Sequence, residues 1–403
     1  MNPLQNRRGQ IIDGHGKPVR LRGVNLGNWL LVEGYLLAGP NEPEHRIRAC
    51  MAEVVGASQT RAFYRKYQDA YIQASDLRRI RRWGFNFVRI PFNYRLFLPS
   101  PQGRLYARDG WKRLDWVIKQ CSRLGLYCLL DLHAAPGAQN ADWHSDSPGK
   151  PGLWDSPKDQ EETTALWGKI ARRYRDEPAV AGYDLLNEPV ASSTVPVMRL
   201  YRRCLEAIRE AGDHHLVFLE GTRWSDDFEG LDEMDDPQLV YSPHFYKPAA
   251  FVLHLDPDAA YPGEIEGKYW NKQTLRGELE RFHRLGQKSS RPVLIGEFGV
   301  HRRCPCCHAE TRWVKEALGL FESFGFHWTY WVYKALDGPC FPNGLLQLPG
   351  NPSWLRREGA KCGWQNFGRA LARSSREILS AMDSRHFRED PIVLEELQRA
   401  VRS

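Results

Sequence analysis

The sequence predicts an α/β fold, a (β/α)8 TIM barrel in a single domain, on three observations. Short apolar runs alternate with longer amphipathic stretches, the pattern of parallel strands joined by crossover helices. Eight such runs can be counted. The chain's 403 residues also suit one barrel, since these domains span roughly 200 to more than 400 residues.

The strand runs cover 19–26, 85–92, 126–133, 180–187, 216–220, 239–245, 292–298 and 327–333. Helical patterns fill 111–124, 161–174, 197–211, 274–285 and 311–324, and a last one near 366–382 follows the eighth strand. Several strand runs are almost continuously apolar, as expected when both faces are covered. A doubly wound open sheet would need a Gly-rich phosphate turn after its first strand, and Gly23-Val-Asn-Leu-Gly27 is not one. No linker or low-complexity segment interrupts the pattern, so residues 1–386 are read as one catalytic domain. Residues 387–403 are a charged, amphipathic tail expected to form a surface helix.

Composition is ordinary for a globular protein, 42% hydrophobic and 26% charged. The net charge of +7 comes from 56 Lys+Arg against 49 Asp+Glu. The basic residues are scattered, and the run Arg78, Arg79, Arg81, Arg82 reads as a solvated helix face rather than a nucleic-acid arm. No apolar stretch is long enough to span a bilayer. The polar N-terminus lacks a signal core, so the expected compartment is cytoplasmic, or secreted if a leader has been removed. Nine cysteines, an odd number in a chain that can bury a core, lean towards a reducing compartment.

Barrel enzymes carry their chemistry at the C-terminal ends of strands. Here those ends read Val88-Arg89-Ile90-Pro91, Asp131-Leu132-His133, Leu186-Asn187-Glu188-Pro189, Pro243-His244-Phe245-Tyr246 and Gly296-Glu297-Phe298-Gly299, with Trp331 on the eighth strand. Six polar or aromatic strand ends converge on one mouth, and two of them carry glutamates.

Two facing carboxylates suit glycosidic cleavage, one protonated to assist the leaving oxygen and one ionised to attack the anomeric carbon. Retaining enzymes hold such a pair roughly 5–5.5 Å apart, close enough for the charge of one to raise the pKa of the other. Arg89 and Tyr246 are suited to keep Glu297 ionised. The alternative is metal-assisted chemistry through His133, His244, Glu188 and Glu297, whose spacing matches no compact metal motif. No metal or other cofactor is therefore expected.

These motifs, together with Arg22-Gly-Val-Asn-Leu-Gly27 and Leu130-Asp-Leu-His133, resemble glycoside hydrolase family 5, in the clan of retaining (β/α)8 glycosidases. The resemblance runs from about Val19 to Lys334. It implies that Glu188 is the acid/base and Glu297 the nucleophile. It also implies that Asn187 bonds the sugar 2-hydroxyl, Arg89 and Tyr246 position the nucleophile, His133 and His244 line the subsite, and Trp331 forms a platform under the ring. A structural salt bridge for Arg89 and plain core packing for Trp331 stay open.

Trp29-Leu-Leu-Val-Glu33-Gly-Tyr35 and Ala135-Pro-Gly-Ala-Gln-Asn140 resemble the exo-β-1,3-glucanase branch, in which the glutamate matching Glu33 contacts the terminal sugar. Glu33 as a capping or surface carboxylate is the competing reading. That branch continues Gly-Phe-Asp-Asn where this chain has Ala141-Asp-Trp-His144. The resemblance thus implies a retaining, exo-acting β-glycosidase on glucose-type oligo- or polysaccharides or glycosides. A β-mannosidase, a cellulase-like endo-β-glucanase, a transglycosylase and a carbohydrate-binding pseudoenzyme remain open. Cys304-Pro-Cys306-Cys307-His308 follows strand seven, with Cys340 and Cys362 in later loops. Free thiols, a disulfide and a structural zinc are all open readings there.

Overall fold

The computed structural model describes residues 1–99, 103–302, 308–336, 338, 340–350 and 363–402. Cys304, Cys306, Cys307 and Cys362 lie outside the described residues, and with them the reading of the cysteine loop; Cys340 is a free thiol.

The barrel strands are β1 (Arg22–Asn25), β2 (Phe87–Asn93), β3 (Tyr127–Ala134), β4 (Val180–Asp184), β5 (Leu216–Leu219), β6 (Leu239–Tyr241, resumed at His244–Phe245), β7 (Leu294–Phe298) and β8 (His327–Tyr330). All neighbouring strands pair in parallel, and β8 returns to β1. The ring closes across the interrupted β6. Tyr241 bridges Val293, and His244–Phe245 pairs with Glu297–Phe298. The expected (β/α)8 barrel is the observed one.

Three helices, α1 (Glu44–Val55), α2 (Ala57–Tyr71) and α3 (Ala74–Arg82), precede β2. Then α4 (Gly110–Leu124), α5 (Pro157–Tyr174) and α6 (Thr194–Glu210) follow β2, β3 and β4. The helices α7 (Lys272–Ser289), α8 (His308–Phe324) and α9 (Trp364–Ala381) follow β6, β7 and β8. The β5–β6 connection has no long helix, only a turn at Thr222–Ser225 and one at Leu231–Glu233. Helix boundaries follow local signals. Ser156 caps α5 by accepting from Asp159 N, with Pro157 at the first position. Gly125 ends α4 in the left-handed conformation that glycine adopts without a Cβ penalty.

Strand alternation sorts the barrel interior into layers. The bottom layer is apolar: Leu21, Phe87, Leu129, Ala181, Leu216, Phe218, Val240 and Leu294 form one cluster, plugged from below by Leu4 and Ile11 beside the N-terminal hairpin Gln5–Arg7/Gln10–Ile12. Two residues further along, the same faces carry Arg89, Asp131, Glu220 and Ser242 instead. The outward faces, such as Val88, Ile90, Leu130 and Phe298, belong to the larger core shared with the helices. The tail forms α10 (Pro391–Arg402), which buries Val393, Leu394 and Leu397.

Candidate active site

Glu297 reaches the mouth because β7 breaks its alternation. Leu294 faces the interior and Ile295 the helices, and the pairing with β8 then shifts register between Ile295 and Phe298. A bulge of this kind re-aims a side chain. Gly296 makes it possible, since a Cβ there would stand 2.6 Å from Ser242 Oγ and 3.1 Å from His244 Nε2.

Both Glu297 oxygens are held. Arg89 Nη1 donates to Oε1 at 2.7 Å, and Tyr246 OH donates to Oε2 at 2.8 Å. Arg89 is fully buried, and its remaining nitrogens are all engaged. Nε donates to Asp184 at 2.8 Å, Nη2 to Asn187 at 2.8 Å and Glu220 at 2.9 Å, and Asp131 lies 3.1 Å from Nη2. One guanidinium therefore faces four carboxylates, which cannot all be ionised at once in a buried site. Burial pushes Asp131 up to about 8 and Asp184 well above its ordinary range, against the pull of Arg89. Those two residues are register partners on β3 and β4, and each has an oxygen, Oδ1, without a hydrogen-bond partner.

Glu188 takes a left-handed backbone conformation, φ 47°, which side chains other than glycine adopt at a cost. Its neighbours over-determine it. Glu188 N donates to Glu220 Oε2 at 2.7 Å, Asn140 Nδ2 donates to Glu188 O at 2.9 Å, and Gln139 Nε2 donates to Asn187 O at 2.9 Å. Its carboxylate meets His244, with Nδ1 to Oε1 at 2.7 Å, and His144, with Nε2 to Oε2 at 3.5 Å. Burial opposes ionisation, but the His244 hydrogen bond and the charges of His244 and His144 leave Glu188 below the usual carboxylate range. His244 is raised correspondingly: burial works against its charge, and Glu220, Glu297 and Glu188 more than compensate. The contact thus favours a charged imidazole beside an ionised carboxylate.

Glu33, His133, Glu188, His244, Tyr246, Glu297 and Trp331 line one pocket of ≈ 590 Å³. Arg89 and Asn187 lie fully buried beneath it. His133 is fixed by Asp131, with Nδ1 to Oδ2 at 2.8 Å, and stacks on Trp331 with centroids 5.5 Å apart and planes 10° from parallel. Burial drops its pKa to about 3, so it is neutral. Trp331 Nε1 donates to Tyr35 OH. Glu33 is not a surface carboxylate: it is 4% exposed, its Oε2 accepts from Trp143 Nε1 at 3.3 Å, and its Oε1, 4.0 Å from His133 Nε2, has no hydrogen-bond partner. Burial and the nearby Glu297 and Glu188 charges, partly offset by His144, put it at about 8.

Glu188, His244 and Glu297 each offer a ligand-type atom within 4.8 Å of the others, as do Asp131, Asp184 and Glu220. In both groups Arg89 already supplies the cation, through Glu297 in the first and through all three carboxylates in the second. The donor sets fit a hydrogen-bonded acid pair on a charged floor better than a metal centre.

A family model described as cellulase (glycosyl hydrolase family 5) matches residues 49–337. The chain belongs to glycosyl hydrolase family 5. It is a glycoside hydrolase. A β-xylosidase of Phanerodontia chrysosporium is 32% identical over 337 residues, covering 81% of this chain and 69% of the relative. Endoglucanase C of Acetivibrio thermocellus is 27% identical over 346 residues, covering 78% of this chain and 91% of that one. Among solved structures, an endogalactoceramidase superposes with a TM-score of 0.61 at 18% identity, covering 83% of this chain and 76% of its own, which speaks to the fold alone.

Several residues at this family 5 site had no place in the sequence reading. Glu220 ends the fifth run just as Glu188 and Glu297 stand at strand ends, so the same rule could have found it. Asp184 was reachable by counting alternate residues back from the mouth. Trp143 and His144 stand in the segment that departs from the exo-β-1,3-glucanase pattern, with no role read from it, and Phe341 stands on a loop with no local signal.

Proposed function

We propose that the enzyme cleaves β-glycosidic bonds of glucose-type substrates, β-glucans or β-glucosides, by double displacement and from chain ends. The observation that carries double displacement is the approach of the Glu188 and Glu297 carboxylates, whose oxygens come within 4.8 Å. Inverting enzymes need carboxyl groups roughly 6.5–9.5 Å apart to admit a water between carboxylate and sugar.

In the first step Glu297 attacks the anomeric carbon. The bond to the leaving oxygen breaks, and Glu188 delivers a proton to that oxygen. In the second, Glu188 takes a proton from water, whose oxygen attacks the same carbon and frees Glu297. Glu188 is held towards its ionised form by His244, and His244 acts as the proton reservoir. Transfer of its Nδ1 proton across the 2.7 Å contact makes Glu188 the acid, and the pair behaves as one titrating unit. Asn187 turns its Oδ1 to Arg89 and its Nδ2 to His144 Nδ1 at 3.4 Å, and the second hydrogen of that amide is the one left for a sugar hydroxyl. Trp331, stacked on His133, is the platform beneath the ring.

Chain-end action is supported by the wall at one side of the pocket. Trp143 from the β3 loop meets Phe341 from the β8 loop, centroids 5.3 Å apart, and Phe341 meets Tyr35 at 5.0 Å. Beneath them Glu33 presents an Oε1 that has no hydrogen-bond partner, a hydrogen-bonding group for a terminal sugar hydroxyl. The test is a panel of aryl β-glucoside, β-mannoside, laminarin, cellulose and mannan with products sized and the first-formed anomer read by NMR. Early β-glucose from chain ends supports the reading. Early α-anomer, internal cleavage or preference for mannosides overturns the corresponding part.

A further inference from the structure

Asp146 closes the turn that carries two residues of the pocket. It follows the short helical turn Trp143–Ser145 in the left-handed conformation, φ 54°, and its N–H donates to Trp143 O at 2.9 Å. Ser145 Oγ donates to Asn140 O at 3.0 Å and to Asp142 O at 2.9 Å, which ties the turn to its own start. From this turn Trp143 reaches Glu33 and Phe341, and His144 reaches Glu188. The turn stands on the loop after β3, outside the barrel strands.

Its place is set by the Asp146 carboxylate. Five donors from three other parts of the chain converge on the two oxygens. Oδ1 accepts from His45 N at 2.7 Å and meets His45 Nδ1 at 2.8 Å. Oδ2 accepts from Arg95 Nε at 2.7 Å, Asn93 Nδ2 at 3.1 Å and Tyr106 OH at 3.3 Å. The Asp146 side chain is wholly buried. Burial works against its charge, yet the His45 hydrogen bond and the Arg95 charge hold it at about 2. The donors are themselves braced. Asn93 Nδ2 also donates to Glu44 Oε2 at 2.9 Å, and Glu44 Oε1 accepts from Arg48 Nη2 at 2.7 Å. The Arg48 guanidinium lies 3.6 Å and 4.0 Å from the ring centroids of Tyr64 and Tyr106. Glu44, His45 and Arg48 belong to α1, the first of the three helices that precede β2.

We infer that Asp146 is a positioning residue for substrate selection, binding the Trp143–His144 turn to α1 and the end of β2 so that the pocket wall stands where chain-end action needs it. The inference rests on the chain-end reading. Asp146 is not among the residues that line the pocket, so it acts on substrate only through the turn. The helix α1 thereby becomes the outer brace of the wall.

The test uses Asp146→Asn, which keeps the size of the side chain and tolerates the left-handed backbone. An amide has only one accepting oxygen, so whichever way it lies its NH2 faces donors. In enzyme labelled with fluorotryptophan, the Trp143 fluorine NMR signal, assigned by its loss in Trp143→Phe, shifts in Asp146→Asn. Longer products appear from laminarin, and KM for oligosaccharides rises about fivefold or more, the loss of about one hydrogen bond. The kcat on an aryl β-glucoside stays within about threefold, because Glu188 keeps its contact with His244. His45→Ala removes the Nδ1 contact and leaves the backbone one, so it produces the same changes to a smaller degree and serves if Asp146→Asn does not fold. An unmoved Trp143 signal overturns the inference, as do equal losses on both substrates with product sizes unchanged, the mark of a purely structural role. If Trp143→Ala lengthens the products and Asp146→Asn does not, the chain-end reading stands and the role of Asp146 falls. If neither lengthens them, the chain-end reading fails and the role in selection fails with it.

Discussion

His244 Nδ1 lies 2.7 Å from Glu188 Oε1 and 3.7 Å from Glu297 Oε2, so one imidazole spans both carboxylates of the site. A cation there favours the ionised form of Glu188. It also keeps a proton donor within 2.7 Å of Glu188.

The first prediction concerns that proton. His244→Asn removes the reservoir together with the hydrogen bond and charge that hold Glu188 down, so Glu188 must hold its own proton at a carboxyl pKa set mainly by burial. The basic limb of the kcat/KM profile moves to lower pH, and kcat at neutral pH falls by about 10²–10⁴-fold, the range for general acid catalysis. An unchanged basic limb would show that His244 only positions its neighbours.

Glu297→Ala and Glu188→Ala each lower kcat on an unactivated β-glycoside by about 10³-fold or more, with far- and near-UV circular dichroism unchanged. Added azide rescues the two differently. It yields an α-glycosyl azide with Glu297→Ala and a β-glycosyl azide with Glu188→Ala, because the small anion takes the place of the missing group on its own face of the sugar. The same anomer from both would contradict the assignment.

Arg89→Met leaves Glu297, Asp131, Asp184 and Glu220 without their shared cation. Removing one partner of a buried charged cluster costs about 3–5 kcal/mol, to be read as a lower urea midpoint at pH 7. Arg89→Lys restores a charge but not the planar fork that reaches all four groups, so it regains only part of the stability and little of the activity.

The fourth prediction follows from Asp131, whose folded pKa of about 8 lies above an unfolded value of about 3.9. For a raised acid the folded state binds the extra proton. The contribution of Asp131 to stability is therefore fully present below about pH 4 and is lost as pH rises through about 8. Asp131→Asn cannot titrate, so urea midpoints measured from pH 5 to pH 8 fall less steeply than in the native protein. A steeper decline would mean that Asp131 is ionised in the folded state.

Glu33→Gln keeps the shape of the wall and removes the acid. KM for oligosaccharides rises by about tenfold while an aryl glucoside is affected less. Trp143→Ala breaks the contact with Phe341 and opens that side of the pocket, so internal cleavage products appear from laminarin. If product sizes stay the same in Trp143→Ala, the wall does not set chain-end action.

The sequence by itself determined the barrel, because its strands and crossover helices are local patterns that burial imposes on short windows of chain. It also singled out Glu188, Glu297, Arg89, His133, His244 and Tyr246, because barrel topology sends every strand end to one mouth, so strand ends could be read as one site. The tertiary structure decided what passes between strands. It closed the ring across the break in β6, turned Glu297 inward by a bulge, and set a single guanidinium against four carboxylates. It set His244 2.7 Å from Glu188, and it joined Trp143 to Phe341 and Trp224 to Asp142 through loops far apart in sequence. The physical reason is that protonation states and pocket walls depend on distances between side chains from different strands, which no window of sequence contains.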